Sequence, residues 1–174
     1  MKRTLVVVAL ACAVSGLQVA ARQAATKVDL KNVQGQAIGT ATLTPAKRGG
    51  VAIALDVESL SPGDHAIHIH QNAKCEPPFA TAGPHFNPES RKHGLENPDG
   101  PHAGDMSNFT VGADGRAKTT VTNAQVTLGP GPTSVFANGG TSLVIHAKAD
   151  DMKTDPAGNA GDRIACGVIA MPVK

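Results

Sequence analysis

The stretch QAIGTATLTPAKRGGVAIALDVE, residues 36–58, decides the fold class. Apolar side chains recur at every second position from Val51 to Val57, which is the spacing of one face of a β-strand. Lys47-Arg48-Gly49-Gly50 interrupts this pattern with residues that favour a turn. The stretch therefore predicts two short strands, at 36–44 and 50–58, with a turn between them.

The same period of two, rather than 3.6, continues over the rest of the chain. It predicts six further strands, at 26–31, 65–70, 108–112, 116–126, 141–147 and 164–170. Turn residues separate these strands, and Asp114-Gly115 is a strong hairpin signal. Eight short strands in 174 residues indicate a single all-β domain, a sandwich or barrel, without an internal repeat.

The composition excludes several classes of protein. Hydrophobic residues make up 41% of the chain and charged residues 17%, which excludes a disordered chain and a highly charged coiled coil. There is no Trp, no Tyr and only four Phe, so we expect no nucleic-acid binding by aromatic stacking. The net charge of +2 comes from Lys2 and Arg3, and beyond residue 21 no basic tract suits a nucleic acid or a membrane surface.

The first 21 residues have the pattern of a secretory signal peptide. Two basic residues precede an apolar run from Leu5 to Leu17, which is too short for stable membrane insertion. We expect cleavage after Ala21, which leaves residues 22–174 as a single exported domain in the periplasm. The alternatives are a retained anchor, a secreted form and a lipid anchor on Cys12.

Cys75 and Cys166 are the cysteines that remain after this cleavage. In an oxidising compartment two cysteines most simply form one disulfide, which here closes a loop of about ninety residues. Two unpaired thiols are the alternative.

All seven histidines lie between residues 65 and 146, in one long loop and the strands beside it. In His68-Ile69-His70, the two imidazoles face the same side of a strand and could converge on one metal ion, although a solvated strand edge is the alternative. His146 ends another apolar strand and could supply a third imidazole. His65 has the parity of the core-facing isoleucines, which favours a structural role over a ligand.

A second group of metal-ligand residues lies in the loop from Gln71 to Ser107, which has six Pro and no strand pattern. A structureless loop of this length in a compact domain is usually functional. This group consists of His85, His93, His102 and Asp105. Three imidazoles and a carboxylate make the closed shell of a structural zinc site, and a polar loop that happens to contain histidines is the alternative.

Two carboxylates, Asp150 and Asp151, follow His146 closely. A carboxylate there could accept the outer N–H groups of metal-bound imidazoles and orient their rings. A pair of turn acids is the alternative.

Five motifs, in this order along the chain, resemble those of the copper/zinc superoxide dismutases. The motifs are His68-Ile69-His70, Ala82-Gly83-Pro84-His85-Phe86-Asn87-Pro88, His102-Ala103-Gly104-Asp105, Leu143-Val144-Ile145-His146 and Arg163-Ile164-Ala165-Cys166-Gly167-Val168-Ile169. The resemblance extends from about Thr26 to Met171. It implies a flattened, eight-stranded Greek-key β-barrel whose long loops carry both metals outside the barrel.

The resemblance also implies individual roles for these residues. In the family pattern, the ligands for one Cu(2+) per subunit correspond to His68, His70, His85 and His146. Its ligands for one Zn(2+) per subunit are His85, His93, His102 and Asp105, so that His85 bridges the two ions. Asp150 matches the acid that links a copper histidine to a zinc histidine, and Cys75 and Cys166 match the intrachain disulfide of the family.

The reaction implied by the resemblance is the dismutation of superoxide to O2 and hydrogen peroxide, with copper alternating between Cu(II) and Cu(I). In this pattern His85 leaves copper, gains a proton and stays on zinc, while Arg163 guides and holds the anion. Zinc orients His85 without redox chemistry of its own. The oligomeric state stays open, with a homodimer as one option, because bacterial members place their dimer contacts differently.

Two departures from the eukaryotic pattern limit what the resemblance transfers. Glu76-Pro77-Pro78-Phe79 resembles an insertion, and the loop from Lys148 to Asp162 is shorter than the eukaryotic electrostatic loop. The rival classes are a copper-only relative, a copper carrier and a purely structural zinc protein. A copper-only relative would lack the zinc ligands, a copper carrier would be expected to lose a copper ligand or Arg163, and a structural zinc protein would not need the strand histidines together. The chain has both ligand sets and Arg163, which favours the enzyme.

Overall fold

Nine strands and two short 3-10 turns make up the regular structure of residues 25–171, the part of the chain that the computed structural model describes. The strands are β1 (Thr26–Asn32), β2 (Ala37–Pro45), β3 (Val51–Val57), β4 (Gly63–His65), β5 (Ile67–His70), β6 (Phe109–Val111), β7 (Ala117–Asn123), β8 (Thr141–His146) and β9 (Arg163–Ile169). The turns cover Ala80–Ala82 and Ala137–Gly139, and these described residues contain no α-helix. The all-β prediction is confirmed.

The strands form a curled antiparallel sheet. Seven of them lie in the order β5-β8-β9-β1-β2-β3-β7, and β4 pairs with β6 separately. Ala66 alone joins β4 to β5, and a short turn joins β6 to β7, so this pair connects the two edges of the larger sheet. Strands distant in sequence thus lie side by side, and the predicted flattened Greek-key barrel is confirmed.

The alternation of apolar residues in 36–58 gives the two predicted strands, β2 and β3. β2 and β3 pair with Ala41 opposite Leu55 and Leu43 opposite Ile53, and all four side chains are buried. The residues between them along each strand point to the outer face, where they are half-buried or exposed. The period of two therefore separates the core from the surface, as expected for strands with one solvated face.

The fourth predicted strand, 65–70, is divided in the structure. His65 ends β4, which pairs with β6, whereas Ile67 begins β5, which pairs with β8. Between them the N–H of Ala66 donates to the carbonyl oxygen of Lys148, and its own carbonyl accepts from His146. The chain changes partners at this residue, so eight predicted segments become nine strands.

The strand predicted at 116–126 is shorter in the structure. β7 ends at Asn123, whose side-chain oxygen accepts the N–H groups of Gln125 and Val126 and turns the chain away from the sheet. Nδ2 of Asn123 also donates to the carbonyl oxygen of Ala103 at 2.8 Å, which anchors the end of the long loop.

The hydrophobic core fills the interior of the barrel. Its fully buried aliphatic side chains include Leu30, Leu43, Ile53, Leu55, Ile67, Ile69, Leu143 and Ile145. Burial of one such side chain contributes about 1.5–3 kcal/mol. A smaller cluster of Phe79, Ala82, Val144 and Cys166 lies on the other side of the sheet and fixes the first part of the long loop against it.

Among the described residues, no helix is long and apolar enough to cross a membrane. The predicted signal peptide, residues 1–21, and Cys12 within it lie outside the residues that the structure describes.

Candidate metal centre

Strands β5 and β8 place three histidines on the outer face of the barrel. Their register pairs Ile67 with Ile145 and Ile69 with Leu143, and these side chains lie in the core. Because side chains alternate along a strand, the neighbouring residues His68, His70 and His146 face the other side. All three are nonetheless buried, since the long loop covers this face.

Backbone hydrogen bonds hold the long loop against β5. The N–H of Ile69 donates to the carbonyl oxygen of Gly104 at 2.9 Å, and the N–H of Phe86 donates to the carbonyl oxygen of Ile69 at 2.8 Å. Gly104 can approach this closely because it has no side chain; a Cβ there would overlap the carbonyl oxygen of Ile69. The loop is therefore fixed on the barrel, although it contains little regular structure.

Four histidines form what we call the strand cluster: His68, His70, His85 and His146. One ring nitrogen of each lies within 4.8 Å of the others, and the Nε2 atoms of His70 and His146 are 3.4 Å apart. Nδ1 of His68 and Nε2 of His85 are buried and have no hydrogen-bond partner among the described residues. Unpaired buried nitrogens are unfavourable, so a metal ion at the centre of the strand cluster fits the donor set.

The second group, the loop cluster, consists of His85, His93, His102 and Asp105. Oδ1 of Asp105 lies 2.8 Å from Nδ1 of His85, 3.0 Å from Nδ1 of His93 and 3.4 Å from Nδ1 of His102. Ligands of tetrahedral zinc, at their usual bond lengths, lie about 3.3 Å from one another. The loop cluster therefore has the composition and spacing of a closed zinc site.

Hydrogen bonds to the backbone orient the carboxylate of the loop cluster. Oδ2 of Asp105 accepts the N–H groups of Gly94 at 2.8 Å and His102 at 2.9 Å. These two bonds occupy one carboxylate oxygen and leave the other facing the three imidazoles.

His85 belongs to both clusters. Its Nε2 faces the strand cluster without a partner, whereas its Nδ1 contacts Asp105 in the loop cluster. An ion on each side would therefore share this one imidazole ring. The arrangement is that of a binuclear centre with a bridging histidine.

Asp150 connects the outer nitrogens of the two clusters. Its Oδ2 accepts from Nε2 of His68 at 2.7 Å, and its Oδ1 accepts from Nε2 of His93 at 3.1 Å. Because a carboxylate only accepts, both Nε2 atoms carry hydrogen, so Nδ1 is the atom that each ring can offer to an ion. Asp151 is exposed and instead accepts backbone N–H groups of its own turn.

Backbone carbonyl groups orient two more rings. Nδ1 of His70 donates to the carbonyl oxygen of Gly83 at 2.8 Å, and Nδ1 of His146 donates to that of Gly161 at 3.2 Å. Both rings therefore turn their Nε2 atoms toward the strand cluster.

Burial favours the neutral form of three imidazoles in the strand cluster, those of His70, His85 and His146. It lowers the pKa of His85 to about 4 and that of His146 to about 3, and it lowers the pKa of His70 well below its usual value. Nearby imidazoles add to each decrease. Neutral imidazole is the form that binds a metal ion, so these three rings can bind a cation without first losing a proton.

The carboxylates act in the opposite sense on His93. Burial alone would lower the pKa of His93, but hydrogen bonds to Asp105 and Asp150 outweigh it and raise the pKa to about 9. Burial would also raise the pKa of Asp105, yet its hydrogen bonds with His102 and His85 hold that pKa below the usual range. In the metal-free protein His93 is therefore charged at neutral pH, and a binding ion must displace its proton.

Arg163, the first residue of β9, lies beside the strand cluster. Its guanidinium group donates to the carbonyl oxygens of Phe79 at 2.7 Å and Gly83 at 2.8 Å. It lines a cavity of about 660 Å³ together with His70, His85 and His146. A small anion that enters this cavity meets a fixed positive charge next to the histidines.

The structure joins Cys75 and Cys166 in a disulfide. The bond ties the first part of the long loop to β9, three residues after Arg163. The loop then supplies the carbonyl groups of Phe79 and Gly83 that hold the guanidinium group in place.

His65 is the seventh histidine and belongs to neither cluster. Its Nδ1 is 2.7 Å from the carbonyl oxygen of His146, and its Nε2 is 2.8 Å from that of Ser61. It is buried against the core ring of Phe109, which agrees with the structural role that its parity in the strand predicts.

Sequence reasoning missed the residues that orient the ligands. Gly83 and Gly161 act through backbone carbonyl groups, which no side-chain pattern reveals. Asn108 contacts the backbone of Asp150, and Asp155 accepts the N–H of His93 and faces the outer nitrogen of His102 at 3.8 Å. Asp155 follows the Asp150-Asp151 pair closely, and this acidic spacing was the one signal available.

An antiparallel barrel whose outer face carries two buried metal-ligand clusters, with the imidazole of His85 in both, defines a class of metal-binding proteins with a place for two ions. The guanidinium group of Arg163, which is fixed beside an open cavity, adds a place for a small anion.

The chain belongs to the copper/zinc superoxide dismutase family, a family of oxidoreductases that bind copper and zinc, whose model matches residues 37–169. It is 49% identical over 152 residues to superoxide dismutase [Cu-Zn] 1 of Aquifex aeolicus, covering 86% of this chain and 89% of that protein. Among solved structures, a mutant of the SOD-like protein from Bacillus subtilis has a TM-score of 0.81 and 37% identity, covering 83% of this chain and 97% of that one. The Cu/Zn superoxide dismutase from Brucella abortus has a TM-score of 0.70 and 29% identity, covering 84% and 99%.

Proposed function

We propose that this protein dismutates superoxide to O2 and hydrogen peroxide at the binuclear centre. In this proposal the strand cluster, His68, His70, His85 and His146, holds copper, and the loop cluster, His85, His93, His102 and Asp105, holds zinc. The observation that carries it is the position of His85, one ring nitrogen of which faces each cluster. Its support from chemistry is that imidazoles suit copper, whereas the closed shell with a carboxylate suits zinc.

When bound, copper supplies one-electron redox chemistry, so that two superoxide anions and two protons give one O2 and one hydrogen peroxide. Arg163 attracts each anion into the cavity and holds it beside His70 and His146. His85 is within the same cavity and can hold a proton at Nε2 and pass it to the bound anion.

The remaining residues keep these groups in place. Asp150 orients the rings of His68 and His93, and Gly83 accepts from both His70 and Arg163. The anion site and the copper site are thus tied to one backbone carbonyl group. The zinc site fixes the loop that presents His85 and shields it from bulk water.

A superoxide-decay assay with metal analysis of the purified protein tests this function. The wild type should bind one copper and one zinc per chain and remove superoxide. His146→Ala should lose copper and activity while it keeps most of its zinc, because His146 contacts the strand cluster alone. His65→Gln is the matched control, since it changes the one histidine outside both clusters and should retain both metals and the activity. Unimpaired dismutation by His146→Ala would contradict the copper assignment.

The same proposal includes export of the protein. We infer that residues 1–21 are removed and that residues 22–174 function as one domain in the periplasm, with a secreted form or a lipid anchor on Cys12 as alternatives. The support is the Cys75–Cys166 disulfide, which persists in oxidising compartments. Mass spectrometry of protein recovered from fractionated cells identifies the first residue and the compartment. Sedimentation of the same material tests whether the chain forms a homodimer.

A further inference from the structure

The carboxylate of Asp150 must reach two rings that come from different parts of the fold. It contacts His68 in β5 at 2.7 Å and His93 in the long loop at 3.1 Å. Asp150 itself lies between β8 and β9, in a segment without regular secondary structure. Hydrogen bonds weaken steeply beyond these lengths, so a small displacement of the main chain would break one of them.

Asn108 engages both main-chain polar groups of Asp150. The N–H of Asp150 donates to Oδ1 of Asn108 at 2.9 Å, and Nδ2 of Asn108 donates to the carbonyl oxygen of Asp150 at 2.9 Å. This closed pair of bonds copies the exchange between two residues of neighbouring antiparallel strands. It requires a side chain with both a donor and an acceptor at this length, which Asn provides.

Asn108 is itself attached to the rigid part of the fold. The next residue, Phe109, begins β6, pairs with His65 in β4 and packs in the core. The side chain of Asn108 therefore links the start of β6 directly to Asp150, while other bonds hold the same loop at Lys148 and Asp155. Asp150, held in this way, lies against Gly158, where a Cβ would overlap its carboxylate.

We propose that Asn108 is a positioning residue for the binuclear centre, which acts by fixing the main chain of Asp150 and thereby the rings of His68 and His93. The inference rests on the function proposed above, because it assigns an ion to each cluster. Mutation of a residue that is hydrogen-bonded to metal ligands, as Asp150 is to His68 and His93, commonly changes metal affinity 10–100-fold. Asn108 touches neither cluster, so any such effect must pass through Asp150.

The rate of zinc release from the copper- and zinc-loaded protein to a chelator tests the proposal. Asn108→Ala removes both bonds and should release zinc about tenfold faster or more. Asn32→Ala is the matched control, because Asn32 also bonds backbone N–H groups, at Gln34 and Gln36, but in the turn after β1. It should lower the melting temperature while its zinc release stays within about twofold of the wild type.

A second comparison, made in the Asp150→Ala variant, distinguishes positioning of Asp150 from general loosening of the fold. In Asp150→Ala, the substitution Asn108→Ala should add no further increase in zinc release, since the residue through which it acts is gone. An equal acceleration in both backgrounds would overturn the proposal, as would an Asn108→Ala protein with wild-type zinc release.

A measurement on the metal-free protein keeps this test independent of the proposed function. The Nε2–H protons of His68 and His93 bond to Asp150 and should give protected imidazole resonances in NMR spectra. Asn108→Ala should speed their exchange with water, whereas Asn32→Ala should leave it unchanged. Unchanged exchange in Asn108→Ala would overturn the proposal. A wild type that binds no copper or zinc would refute the function instead.

Discussion

Loss of the Cys75–Cys166 disulfide should lower the free energy of unfolding of the metal-free protein by about 4–5 kcal/mol. The bond joins residues 91 positions apart. In the chain-entropy model, a cross-link of this span removes about 15 cal/mol/K from the denatured state, or about 4.6 kcal/mol at 25 °C. For a domain of this size the corresponding fall in melting temperature is roughly 10–20 °C.

Cys75→Ala is the substitution of choice, because Cys75 is half-buried, whereas Cys166 is buried and its lone thiol can stay in its apolar surroundings. Urea unfolding followed by circular dichroism measures the loss. Wild-type protein reduced with dithiothreitol is the matched sample and should unfold at the same urea concentration as the variant. A loss below about 1 kcal/mol, or a variant that is far less stable than the reduced wild type, would refute the entropic argument.

Three further outcomes concern the metal centre. Arg163→Ala should slow dismutation several-fold with both metals bound, Arg163→Lys should keep part of the rate, and added salt should slow the wild type more than Arg163→Ala; equal salt dependence contradicts steering. Asp105→Ala should lose zinc and melt at a lower temperature than the loaded wild type, because ions bound to the folded form stabilise it by mass action; unchanged zinc content and melting argue against the assignment. The metal-free protein should be most stable near pH 6.5. At lower pH its stability falls, because His85 and His146 take up protons in the unfolded chain at a pH where their folded pKa values, about 4 and 3, still keep them neutral. At higher pH the stabilising contribution of His93, whose folded pKa is about 9, is lost. Urea midpoints between pH 4 and 9 check this profile, and a midpoint that does not change with pH would contradict it.

Much of this architecture is predictable because it depends on local patterns. The period of two around Val51 fixes which residues enter the core, and the same period brings His68 and His70 to one face. Ligand types concentrated in one loop are equally visible in the sequence. These features need no knowledge of how distant segments pack.

The parts that escaped prediction depend on long-range contacts between backbone groups. Ala66 divides a strand because its two neighbours find different partners, and Gly83 orients His70 through a carbonyl group. Asn108 is one of several asparagines in the chain, and only the folded structure places it against Asp150. Positions of this kind are set by tertiary structure, which residue type and spacing do not encode locally.

The two clusters differ in the part of the molecule that builds them. His68, His70 and His146 belong to paired strands of the barrel, whereas every residue of the loop cluster lies in the segment between β5 and β6. A segment with few sheet hydrogen bonds can open locally while the barrel stays folded. In the proposed assignment, zinc exchange therefore requires only a subglobal opening, with a free energy below that of complete unfolding. His68, His70 and His146, by contrast, can separate from one another only when the paired strands β5 and β8 come apart.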